Sequence, residues 1–178
     1  MKYATELTRA MDLLGKNPRT IFLGQAVSYP GTAMTNTLKN VPKKKLYELP
    51  VAEEMQVGIT TGFALNNFIP VSIFPRWNFL LLGINQLVNH LDKVKVMSNN
   101  AFKTKAIIRT GIGSQRPLNP QHQHISDFTN EVKKMCTTIE VIKLNEPKDI
   151  FPSYKKALNR NDGRSTLLVE FGDFYDEK

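Results

Sequence analysis

The sequence predicts an α/β fold, a three-layer sandwich in which a mostly parallel sheet is covered by helices on both faces. Three observations carry this reading. Short apolar runs of strand length alternate along the chain with longer stretches whose apolar residues recur at i, i+3 and i+4. Parallel strands need crossovers of that kind, and the crossovers place helices on both sides of the sheet. Finally, 178 residues, of which 41% are hydrophobic, can bury one sizeable core. No repeat or low-complexity linker interrupts them, so residues 1–178 are read as one domain.

The elements follow in order. Tyr3, Leu7, Ala10, Met11 and Leu14 lie on one helical face, and Gly15 supplies a stop. Residues 20–24 form an apolar strand between Pro18 and the end at Gly24, followed by a Gly-, Pro-, Thr- and Asn-rich loop over 25–40. A second strand over 45–49 ends at Pro50, and residues 51–66 read as a helix carrying Gly58, Gly62 and Ala64. The third strand spans 68–74, and residues 77–97 keep an amphipathic period that predicts one long helix. A fourth strand over 105–109 leads into a polar loop from Thr110 to Gln123. Helix 128–136, strand 139–144, helix 148–159 and strand 165–170 complete the series.

Composition excludes several classes. The single Cys136 permits no intramolecular disulfide and no cysteine-rich zinc module, and it fits a reducing compartment, so a cytoplasmic location is expected. The first residues carry charges throughout and lack a signal peptide's apolar stretch. The longest uncharged run, residues 55–75, is interrupted by polar residues and prolines, so no membrane association is expected. The net charge of +8 raises nucleic-acid binding as a possibility. Against it, the basic clusters Lys43-Lys44-Lys45, Lys133-Lys134 and Lys155-Lys156 have no interleaved aromatic residues on which bases could stack.

In a parallel α/β sheet ligands bind beyond the carboxyl ends of the strands, so the loops there hold the candidate chemistry. Glu53 lies just past Pro50 in the first helical turn, where a carboxylate either balances the helix dipole or serves as a proton partner. In Phe74-Pro75-Arg76-Trp77-Asn78-Phe79, aromatic rings are either core residues or a platform for a flat ligand. His122 and His124 close the polar loop. No nearby His, Cys, Asp or Glu cluster supplies the remaining metal ligands at a recognisable spacing, so substrate contact or proton transfer is the better reading. Gly111-Ile112-Gly113 lacks the third glycine of a dinucleotide fingerprint, and no Walker A loop is present.

Taken together these segments resemble the pyrimidine-binding domain of transketolase-type thiamine diphosphate enzymes, above all the beta subunits of pyruvate and branched-chain 2-oxo acid dehydrogenases. The matching blocks are Leu49-Pro50-Val51-Ala52-Glu53 with Gly58 and Gly62; Ile69-Pro70-Val71 with Phe74, Asn78 and Phe79; and residues 85–93, Asn-Gln-Leu-Val-Asn-His-Leu-Asp-Lys. Further matches are Arg109, Gly111, Gly113 and Gln123-His124, a weaker block at residues 145–149 and 168–170, and an early Phe22-Leu23-Gly24-Gln25. The resemblance implies that Glu53 bonds a pyrimidine ring nitrogen of the cofactor, that Phe79 stacks on the ring beside Pro50, and that His124 lines the substrate channel. His122, Arg76 and Gln25 are weaker substrate candidates. Gln25 replaces the family's Glu, and Asn85 its Asp.

No Gly-Asp-Gly magnesium motif follows any strand, so the resemblance implies half a cofactor site, with Mg2+ and the diphosphate held by a partner subunit in an α2β2 heterotetramer. The implied activity is that of a transferase or oxidoreductase subunit acting on a 2-oxo acid or ketose. Two alternatives stand beside it: a split decarboxylase of the sulfopyruvate or phosphonopyruvate type, and a non-catalytic domain that kept the fold. The +8 charge then reads as a docking surface for an acidic partner.

Overall fold

The structure, a computed structural model, describes residues 1–30, 32–113, 115 and 119–176. Its frame is a six-stranded sheet of β1 (Thr20–Gly24), β2 (Leu46–Glu48), β3 (Ile69–Ile73), β4 (Ile107–Ile112), β5 (Glu140–Lys143) and β6 (Thr166–Phe171), in the order β2-β1-β3-β4-β6-β5. Every neighbouring pair is parallel, from Phe22 opposite Leu46 to Lys143 opposite Val169. The expected sheet is thus present, and fully parallel.

Alternation of side chains along the strands divides the core in two. On one face Phe22, Val71, Ile107 and Leu168 pack under α1 (Tyr3–Lys16) and α7 (Pro147–Asn159), with Met34 from the short α2 (Ala33–Asn36). On the other, Ile108, Leu167 and Val169 meet Val57 of α3 (Glu53–Leu65), Trp77 and Leu80 of α4 (Trp77–Leu80), and Val132 of α6 (Thr129–Met135). The period of two sends adjacent residues such as Ile107 and Ile108 into opposite cores. Burial on both faces is what a near-continuous apolar strand encodes.

The single helix expected over residues 77–97 is instead four short pieces: α4, a 3-10 turn Leu81–Gly83, a π-helical segment Gln86–Leu91, and α5 (Val94–Met97). Two contacts break it. A Cβ at Gly83 would stand 3.0 Å from both the Glu53 carbonyl and Val57 Cγ2, so the chain passes close against α3 there. Nine residues on, the Asp92 N–H bonds the Leu87 carbonyl (3.0 Å), a π pattern that aims the Asp92 carboxylate at the residues leading into β5. β4 begins two residues later than expected and runs on to Ile112, taking in Thr110 and Gly111 that read as loop.

One polar knot crosses the first core. Arg109 and Glu170 are fully buried on neighbouring strands and form a bidentate pair (Nε–Oε1 2.7 Å, Nη2–Oε2 2.9 Å). The hydroxyls of Tyr154 and Tyr175 both donate to the same carboxylate. With its oxygens bonded in this way the buried charge is compensated, and removing either partner would strand the other.

Candidate functional site

Strand order reverses between β1 and β3, because β2 lies on one side of β1 while β3, β4 and β6 continue on the other. At such a switch point the loops diverge and leave a crevice beyond the carboxyl edge. Gly24, the last residue of β1, sits at φ +148°, and a Cβ there would lie 2.3 Å from the Ile73 carbonyl at the end of β3. Only glycine allows that approach. Gln56, fully buried on α3, locks the same place by donating to Ser72 Oγ and the Ile73 carbonyl, each at 3.0 Å. Gln56 escaped the sequence reading, although a polar residue three positions after Glu53 on an apolar helix face was a signal.

Glu53 opens α3 directly over this crevice and is 3% exposed. Unpaired N–H groups of the first helical turn favour a negative charge at that position. Its Oε1 accepts the side-chain N–H of Gln25 at 3.0 Å. Gln25 is held in turn by the loop after it: the Glu48 carboxylate, at the end of β2, accepts the backbone N–H groups of Ala26, Val27 and Ser28 at 2.6–2.8 Å. Gln25 is therefore committed to Glu53. Pro50 is exposed in the turn that leads to it.

A second group stands over β3 and β4. The rings of Phe79, on α4, and His124 lie 5.1 Å apart and tilted, both half-buried. Arg76, the residue that caps α4, donates from Nη1 to the His124 carbonyl at 3.0 Å. Burial lowers the pKa of Arg76, and the negative charge of Asp173 opposes that shift. His122, two residues before His124, is exposed and makes no hydrogen bond or ring contact with these groups among the described residues. Ser114 and Arg116 of the same polar loop lie outside the described residues.

The structure thus brings the expected residues together as two pairs, Gln25–Glu53 and Phe79–His124, with Arg76 bracing the second. Three buried polar atoms at this end of the sheet, Gln56 Oε1, Asn78 Oδ1 and His124 Nδ1, have no hydrogen-bond partner among the described residues. No group of three or more His, Cys, Asp or Glu could hold a metal ion among the described residues. No described helix is long and apolar enough to cross a membrane. Cys136 is no nucleophile: burial, with Asp92 adding to it, pushes its thiol up to about 12.

Comparison with known proteins places this geometry. Residues 1–171 match the family described as transketolase, pyrimidine binding domain. The beta subunit of the mitochondrial pyruvate dehydrogenase E1 component of Ascaris suum is 27% identical over 119 residues, 64% of this chain and 32% of that one. The 3-methyl-2-oxobutanoate dehydrogenase subunit beta of Mycobacterium tuberculosis is 24% identical over 160 residues, 85% of this chain and 44% of that one. The chain therefore spans less than half the length of these relatives. Among solved structures, a split-gene transketolase described as an inactive beta4 tetramer superposes with a TM-score of 0.72 over 97% of this chain and 52% of its own, at 13% identity, a likeness of fold. Sheet order, crevice and the match over nearly its whole length agree: this chain belongs to the transketolase pyrimidine-binding domain family.

Proposed function

We propose that this chain is the pyrimidine-binding subunit of a two-chain thiamine diphosphate enzyme acting on a 2-oxo acid or ketose. The observation that carries the reading is the buried Glu53 carboxylate at the switch-point crevice, with an N–H donor on one oxygen and the half-buried Phe79 ring on the neighbouring α4. Such a set fits an aminopyrimidine: a carboxylate for a ring nitrogen, a ring face for stacking, and unpartnered buried polar atoms nearby. The chemistry the cofactor supplies when bound is a carbon nucleophile for the substrate carbonyl and an electron sink for the bond broken beside it.

The chain's own residues have separable tasks in this reading. Glu53 holds the proton at the pyrimidine nitrogen, and Gln25 keeps its carboxylate aimed. Phe79 fixes the plane of the ring. His124, with Nδ1 free of any described partner, takes or returns a proton on the substrate side. The diphosphate and Mg2+ belong to a second subunit, which the exposed face of α3 is suited to meet. Met55, Gly58, Gly62 and Leu65 recur there at helical spacing, all exposed, with Val51 exposed just ahead of the helix, and nothing lies within 4 Å of a Cβ built on either glycine.

The test is reconstitution with a diphosphate-binding chain from the same source. Glu53→Gln in the reconstituted pair is expected to lower kcat by about 10²–10⁴ while the variant stays folded and still assembles. Full activity in Glu53→Gln would remove the reading. Tight binding of thiamine diphosphate to the isolated chain, measured calorimetrically, would contradict the division of the site between two subunits.

A further inference from the structure

We infer that Asp173 is a positioning residue that sets the His124 side of the crevice from the carboxyl-terminal turn of the domain. The inference rests on the proposed role of His124. Asp173 lies in the 3-10 turn Gly172–Asp176, directly after β6, and the core fixes that turn from both sides. The Tyr175 hydroxyl donates to Glu170 of the buried ion pair. The Phe174 ring stacks on Phe171 at 4.9 Å and meets the edge of Tyr3 at 5.5 Å. Asp173 is thereby held at a set place over the carboxyl edge of the sheet.

From there its carboxylate faces the segment that carries His124. Oδ1 accepts the Gln115 backbone N–H at 2.6 Å. A Cβ built on Gly113, at φ +64°, would come 3.8 Å from Oδ2. The same charge acts on Arg76, whose guanidinium holds the His124 carbonyl at 3.0 Å. Among the described residues Arg76 forms no ion pair, so the charge of Asp173 reaches it without a direct contact.

Among the described residues the segment's remaining bonds are local: Gln121 to Asn119, and Gln123 to Pro120. Between Gly113 and Ile125, the described hydrogen bonds to the rest of the protein are those of Gln115 to Asp173 and of His124 to Arg76. Asp173 makes the first, and its charge acts on the residue that makes the second. It touches no reacting group in the proposed chemistry and acts through Gln115 and Arg76.

Two substitutions separate its two actions. Asp173→Asn keeps a side-chain oxygen for the Gln115 N–H and removes the charge that acts on Arg76; Asp173→Ala removes both. In the isolated full-length chain, followed by 15N NMR, Asp173→Ala is expected to speed Gln115 amide exchange by about tenfold or more. Asp173→Asn should leave that exchange within about twofold of wild type, yet still shift the His124 and Arg76 side-chain resonances. In the reconstituted pair both variants should lower kcat by about tenfold, at a substrate KM and a thermal midpoint close to wild type, because a misplaced proton donor slows the chemical step without loosening the fold. Unchanged Gln115 exchange and His124 resonances in Asp173→Ala would overturn the inference, as would a kcat loss that only tracks a fall in thermal midpoint. A wild-type pair with no thiamine diphosphate-dependent activity would instead defeat the functional reading, while the NMR result would still decide what Asp173 holds.

Discussion

Gln25 shows how one side chain sets the character of the crevice. Its amide donates to Glu53 at 3.0 Å, where the family resemblance leads one to expect a second carboxylate. Two carboxylates at that separation cannot both carry charge, and one proton becomes shared between them. Gln25→Glu is therefore expected to move the acid limb of the kcat profile in the reconstituted pair up by about one pH unit or more. A profile coincident with wild type would mean that Gln25 and Glu53 do not share the crevice as the structure has them. The places of Glu53, Phe79 and His124 beyond the strand ends were legible in the sequence because each sits in a short block that the family resemblance picks out. The Gln25–Glu53 bond spans 28 residues and the Asp173–Gln115 bond 58, and nothing local in the sequence encodes such pairings.

Elements show a different boundary between what pattern reveals and what packing decides. Along residues 77–97 the buried side chains Trp77, Leu80, Leu87 and Leu91 keep the helical face that the period predicted. Their continuity in one helix failed because apolar spacing cannot distinguish an α turn from a 3-10 or π turn of similar pitch. Gly83 against α3 and Asp92 against β5 decided it. Asp92 is fully buried, and its carboxylate accepts the N–H groups of Thr137, Thr138 and Ile139 at 2.7–2.9 Å, two threonine hydroxyls, and the Lys93 ammonium at 2.8 Å. Burial alone would raise its pKa, but the Lys93 contact and these N–H bonds outweigh it and hold the group well below the ordinary carboxylate range. A depressed folded-state value stabilises the protein at pH above the unfolded value of about 4, and that contribution is lost as pH falls toward the folded value. Asp92→Asn should cost about 2–4 kcal/mol near neutrality by chemical denaturation. The gap to wild type should narrow steadily below about pH 4. A gap independent of pH would show that the charge of Asp92 contributes nothing.

At the scale of the whole molecule, the sheet and both cores satisfy themselves, yet the outer face of α3 does not. Met55 is 43% exposed and, with Val51 (76%) just ahead of the helix, continues into the open glycines 58 and 62 and the exposed Leu65. The four-residue glycine spacing, read alone, fits packing onto the chain's own sheet as well as onto another chain. The structure turns both glycines outward, so they gain nothing inside this fold and each costs about 1 kcal/mol of helix propensity relative to alanine. Glycines kept at that cost on an apolar face allow another backbone to approach closely. The two possibilities diverge on substitution. Gly58→Leu with Gly62→Leu should leave the isolated chain as stable as wild type or more so, by up to about 1 kcal/mol per site, because leucine is the better helix former and meets no neighbour. The same pair of leucines should block assembly with the diphosphate-binding subunit, read by light scattering after size exclusion, and with it thiamine diphosphate-dependent turnover. Loss of stability in the isolated chain would mean that the glycines serve its own packing. Undiminished assembly would place the partner on another face, and the basic surface behind the +8 charge would then be the next to probe, by the salt dependence of association.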